Sequence, residues 1–267
     1  MKNTLKYGFV AAISILALSS CSNDDSPRIS GHGELKLEFD QAYGGNDLGL
    51  GAAQLPNPQN EILTINTVKY IVGNIVLIKS DGTSYTLPDD YFIVDEANEL
   101  SHEIELQDIP AGDYVAVRFG IGVTPEQYNL GQAAQGPFGQ TATAAGLLAD
   151  WNVGYNFFWI GGSFTSPTVT AQTPFEVKTR KTSLTDNYLE VTLDFPSTAL
   201  VRQTIAPTVH IIADLSKALE GDYHLKLSDH VSGGAAIVTD DLIISAITEN
   251  LANVFSVNHI HNDPHEH

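Results

Sequence analysis

From residue 34 onward, apolar and polar positions alternate in short runs. Glu34-Leu35-Lys36-Leu37-Glu38-Phe39 opens the series. A period of two puts Leu35, Leu37 and Phe39 on one face and the charged residues on the other, which predicts a half-buried strand. Residues 67–78 predict a longer strand through Gly73-Asn74, followed by Ser80-Asp81-Gly82 and a second run at 84–87. An Asp-Gly pair between two such runs predicts a hairpin. Residues 91–94, 103–106 and 114–121 predict further strands, with a turn at Pro110-Ala111-Gly112-Asp113. The pattern resumes at 154–160, 188–193 and 208–212.

Two stretches depart from alternation. Residues 124–148 are rich in Gly, Ala, Gln and Thr and have little period. They predict a long loop holding at most a helical turn, and such stretches inside a domain are often functional. Later, Asp214 can cap a short helix over 215–219 that Gly221 ends. Thr239 or Asp240 can cap a longer one, in which Ile244, Ile247, Leu251 and Phe255 recur at helical spacing. With no repeat and no linker after residue 30, residues 31–267 predict a single all-β domain, sandwich-like, with one or two short helices.

The N-terminus has a different pattern. Lys2 and Lys6 precede an apolar run over residues 8–18, and Leu18-Ser19-Ser20 leads into Cys21. The run is shorter than the roughly 20 residues that span a bilayer, so residues 1–20 predict a cleaved export signal. Leu-Ser-Ser-Cys resembles the lipobox of bacterial lipoproteins, which implies cleavage before Cys21 and lipid on that residue. A plain signal peptide, with Cys21 incidental, is the alternative. Residues 21–30 form a tether, and its acidic Ser22-Asn23-Asp24-Asp25 resembles the surface-export signal of Bacteroidota lipoproteins, though a solvated linker has the same composition. The expected location is the cell envelope, lipid-anchored to a bacterial membrane, the outer membrane first; exposure at the cell surface is what the tether's resemblance would add.

Composition narrows the function classes. Cys21 is the only cysteine, which excludes an internal disulfide and a cysteine-based metal cluster. The net charge is −19, and loss of Lys2 and Lys6 with the signal takes it two lower. Such a surface repels nucleic acid and anionic lipid and concentrates cations, so membrane contact is expected through the anchor only.

Histidine carries the candidate chemistry. In Val257-Asn258-His259-Ile260-His261-Asn262, an extended backbone points His259 and His261 to one side. Two imidazoles on one face can share copper, zinc or nickel. His210 lies in an apolar run and also suits a satisfied core residue. His102 and His224 read as surface strand residues, His32 lies near the tether, and His265 and His267 belong to the terminal tail. Asp24-Asp25, Asp89-Asp90 and Asp240-Asp241 have no EF-hand spacing and read as a solvated face or a helix cap. A P-loop, a nucleophile elbow, a His-Glu-x-x-His motif and a dinucleotide fingerprint are all missing from the sequence, so no enzymatic activity is expected.

Several segments in order resemble the MbnP-like copper-binding family, which takes in relatives of MbnP and MopE. They are residues 33–40, 68–75, 109–114, Trp151-Asn152-Val153-Gly154-Tyr155, 191–195, Pro207-Thr208-Val209-His210 and the ending at 255–262. The resemblance implies a β-rich exported protein that holds copper through histidines. In some members a tryptophan oxidised to kynurenine joins the site, and Trp151 stands in that context here. This chain departs from the pattern at Ala149, where a tryptophan is frequent. It departs again at Gln41 and in Phe175-Glu176-Val177-Lys178-Thr179, where histidines are frequent. The implied ligands are therefore His259 and His261 first, His210 and His230 next, and Trp151 as a modified ligand.

The function expected is non-catalytic copper capture or storage by an exported lipoprotein, with a metal ion as the partner. A cell-surface module that binds a glycan or a protein, its metal site decayed, is the alternative, motivated by the missing histidines and the 124–148 stretch. A structural subunit of a surface assembly is a third reading.

Overall fold

The computed structural model describes residues 29–88 and 90–264. Cys21, Asp24, Asp25, Asp89, His265, His267 and the expected signal lie outside these residues. Among the described residues no helix is long and apolar enough to cross a membrane.

The strands are β1 (His32–Tyr43), β2 (Asn46–Asp47), β3 (Ile62–Lys79), β4 (Ser84–Thr86), β5 (Tyr91–Asp95), β6 (Glu103–Pro110) and β7 (Gly112–Ile121). Helices α1 (Pro125–Asn129) and α2 (Gly136–Ala144) come next, then β8 (Asn156–Thr165), β9 (Thr173–Arg180), β10 (Leu189–Val201) and β11 (Ile205–Asp214). The chain continues through α3 (Ser216–Glu220), β12 (Val231–Ser232), β13 (Ala235–Ile237), α4 (Asp241–Asn250) and β14 (Phe255–Pro264).

They form two sheets. The smaller has the order β14-β11-β1-β2, with β6 also paired to β1. The larger runs β10-β7-β3-β8-β9-β13-β12, with β4 and β5 paired to β3. The sheets face each other over one core, to which β1 gives Leu35, Leu37 and Phe39, β11 gives Val209 and Ile211, and β8 gives Phe158 and Ile160. Burying an aliphatic or aromatic side chain of this size contributes about 1.5–3 kcal/mol. The expected all-β sandwich is the observed architecture, and the Asp-Gly hairpin joins β3 to β4 in antiparallel register.

Close backbone approach shapes the larger sheet. A Cβ at Gly162 would lie 2.0 Å from the Thr64 carbonyl oxygen. That spot adjoins an irregularity in the β3–β8 ladder between Ile65 and Thr67, where only glycine fits.

Residues 124–148 differ from the loop expected there. They hold α1, a 3-10 turn (Gln132–Gln135) and α2. Thr124 accepts from the Gln127 amide at 3.1 Å and Pro125 takes the first turn, a regular helix start. The helices are weak in sequence because they are built of Ala, Gly and Thr. They form by covering the outer face of the larger sheet, where Ala142, Leu147 and Leu148 pack with Ile71, Tyr155 and Phe157 in a second cluster.

The end of the chain also differs in detail. Asp240 caps α4, accepting from Leu242 and Ile243 amides at 2.9 and 3.2 Å. The helix stops at Asn250 and a 3-10 turn (Leu251–Asn253) follows, so Phe255 opens β14 instead of extending the helical stripe. Phe255 lies edge-on to Phe119 and Tyr70, with centroids 5.4 and 5.5 Å away. That contact anchors the start of β14 in the inter-sheet core.

Candidate metal centre

Three strands of the smaller sheet place the site. β1 and β11 pair in parallel, setting Glu38 beside His210. β11 and β14 pair antiparallel, setting His210 opposite His259 and Thr208 opposite His261. Between His259 and Val257 the ladder slips by one residue, leaving Asn258 unpaired. The bulge resets the alternation. Val257 and Ile260 both pack on the core while His259 and His261 face outward.

One ring nitrogen of each of His210, His259 and His261 lies within 4.8 Å of the other two. His259 and His261 bring their Nε2 atoms to 3.0 Å, with ring planes 86° apart. Two neutral imidazoles hold that contact as a hydrogen bond only if one Nε2 carries the shared proton; with neither Nε2 protonated, the two lone pairs would be free to take a cation. With metal–nitrogen bonds of about 2.0–2.1 Å, a 3.0 Å separation corresponds to a ligand–metal–ligand angle of about 95°. The donor pair thus fits a metal ion as it stands.

His210 is held differently. Its ring stacks on His259, with centroids 4.2 Å apart and planes 13° from parallel. Its Nδ1 is turned to β1, 3.3 Å from Glu38 Oε2 and 3.9 Å from Asp40 Oδ2. Carboxylates in that position fix imidazole orientation and raise ligand basicity in metal sites. The face continues into a groove lined by Lys36, Glu103, Glu105, Thr208 and Asp263, in which both glutamates claim the Lys36 ammonium.

The other expected residues lie elsewhere. His230 ends a 3-10 turn (Leu227–His230) at the β12 edge of the larger sheet. Trp151 stacks on Tyr128 at 4.7 Å and lies edge-on to Tyr155, within the cluster under α1 and α2. That cluster covers the outer face of the larger sheet, so both sheets stand between Trp151 and the three imidazoles. The expected convergence of Trp151 with the carboxyl-terminal histidines does not occur. His102 is not a surface strand residue: its Nε2 is buried 3.3 Å from Glu96 Oε2. His32 opens β1 and is exposed, and His224 is exposed beside α3.

Sequence reasoning missed Glu38 and Asp40 as neighbours of His210. Their alternation with Leu37 and Phe39 marks an outward face, but only the parallel β1–β11 register brings that face to the histidine.

A family model, MbnP, matches residues 32–237. The chain belongs to the MbnP family. This membership covers β1 to β13 and includes His210, while His259 and His261 lie beyond the matched residues. The solved structure of MbnP from Methylosinus trichosporium is similar at 12% identity with a TM-score of 0.45, over 70% of this chain and 76% of that one. No curated protein matches.

Proposed function

We propose that this MbnP-family protein binds copper outside the cytoplasm, without catalysis, and that His259 and His261 are its principal ligands. The observation that carries the reading is the 3.0 Å approach of two Nε2 atoms on perpendicular rings. His210 is the third imidazole of the group. An all-nitrogen set suits copper, whose affinity for such sites tops the divalent series. The acidic chain enriches cations near the surface. Capture or storage follows from a site that lies open on the sheet's outer face, where an ion can be loaded and passed on. Lipid at Cys21 would keep the domain at a membrane surface in the cell envelope. Oxidation of Trp151 would set the new aryl amine among Tyr128 and Tyr155, so the proposed copper grip does not depend on it.

The test is copper retained per chain after gel filtration, wild type against a His259→Ala/His261→Ala double variant. About one equivalent is expected in wild type and near none in the variant. Equal copper in both proteins removes these two residues from the site.

A further inference from the structure

His210 has its Nδ1 aimed away from the copper grip. Its ring lies parallel to that of His259, with centroids 4.2 Å apart, so the two rings run side by side. His261, perpendicular to both, brings its Nε2 to 3.0 Å from His259 Nε2. On the β1 side, by contrast, His210 Nδ1 meets two carboxylates from separate turns of the strand pleat. Glu38 Oε2 stands at 3.3 Å and Asp40 Oδ2 at 3.9 Å. One ligand atom from each of the three lies within 4.8 Å of the other two.

We propose that Glu38, Asp40 and His210 Nδ1 form a second cation site, next to the copper grip, for a divalent ion that accepts oxygen and nitrogen together, of which zinc is the type. This goes beyond the copper reading and stands on different ligand atoms. With bonds of about 2.1 Å, separations of 3.3 and 3.9 Å subtend angles of about 105° and 135° at a shared ion. Both are open enough for a three-ligand zinc site that keeps a water in its remaining position.

The local charge favours occupancy. Among the described residues no lysine or arginine pairs with Glu38 or Asp40, and Lys36, the nearest cation on β1, is taken by Glu103 and Glu105 at 2.9 and 3.3 Å. Two adjacent carboxylates with a single imidazole partner leave negative charge that a divalent ion neutralises. The His210 side chain is 17% exposed, so its ring is held by its surroundings and not sampling solvent. The centre is then graded, with nitrogen donors on β14 and β11 and oxygen donors on β1, two strands in from the β14 edge. Softer and harder ions sort between the two halves by ligand type.

Zinc alone is the probe, because it binds both imidazole and carboxylate. Apo protein is loaded with excess Zn²⁺, passed through a desalting column and assayed for zinc per chain. Two equivalents are expected in wild type. One is expected in Glu38→Gln/Asp40→Asn and one in His259→Ala/His261→Ala. X-ray absorption of the latter, singly loaded, should show one imidazole among oxygen ligands. A wild-type stoichiometry of one overturns the second site, as does a carboxylate variant that keeps both equivalents. If the His259→Ala/His261→Ala protein holds none while the carboxylate variant holds one, Glu38 and Asp40 only orient His210 and the proposal fails while the copper reading stands. If wild type binds neither zinc nor copper, both fail. The substitutions on β1 are isosteric and outward-facing, and an unchanged circular dichroism spectrum verifies the fold.

Discussion

His210 and His259 face each other directly across the β11–β14 pair, and their rings stack with centroids 4.2 Å apart. Backbone pairing sets this relation, so the imidazoles are held in place before any ion arrives. Preorganised ligands make metal binding a stabiliser of the folded state. At a free copper concentration 100 times Kd the gain is about 2.7 kcal/mol. For a domain of this size that corresponds to a rise in Tm of about 5–10 °C. Differential scanning fluorimetry should show the rise in wild type, its reversal by chelator, and its absence in the His259→Ala/His261→Ala protein.

Trp151 belongs to a different part of the molecule. It stacks on Tyr128, and its carbonyl oxygen accepts from the Tyr128 hydroxyl at 3.0 Å. Trp151→Phe should therefore leave copper per chain unchanged and lower stability by about 1 kcal/mol, the scale of one aromatic pair. Loss of copper in this variant would mean that the aromatic cluster reaches the metal, against the placement described above.

Phe255 ties β14 to the core through Phe119, Tyr70 and Phe39. Phe255→Ala should cost about 3–5 kcal/mol by chemical denaturation, as large aromatic deletions do. Copper affinity should fall with it, although Phe255 touches no ligand, because the pitch of β14 sets the His259–His261 approach. Phe255→Leu, which keeps most of the volume, should restore most of both.

Glu220 supplies the pH dependence. Burial, first of all, raises its carboxyl above the ordinary value; the Tyr43 hydroxyl, donating at 2.8 Å, lowers it in part, and Asp214 raises it further. A raised carboxyl binds its proton more tightly in the folded state than in the unfolded one. The stability this contributes is complete below the unfolded pKa and is lost as pH rises through the folded one. Glu220→Gln, which keeps an acceptor for Tyr43, should therefore raise Tm relative to wild type more at pH 7 than at pH 4. Equal offsets at the two values would show that Glu220 titrates alike in both states.

Strand character could be read directly from the sequence because alternation is a local property. Leu35-Lys36-Leu37-Glu38-Phe39 states which side of β1 is buried whatever its neighbours are, and His259 and His261 share a side for the same reason. The ordered segments that resemble MbnP proteins gave the family, and the family model agrees over residues 32–237. The α1–α2 cover was not legible. Its small residues have no helical stripe, and its shape comes from the apolar face of Ile71 and Phe157 beneath it.

The site divides along the same line. That two histidines near the end of the chain lie on one face follows from their spacing alone. That they meet His210, and that His210 meets Glu38 and Asp40, depends on a parallel pairing between segments about 170 residues apart and on the one-residue bulge at Asn258. Trp151 shows the converse: motif order suggests a shared site, yet two sheets packed face to face put it on the opposite surface. Periodicity orients a side chain relative to its own strand, and only the packing of strands decides which other side chains it meets.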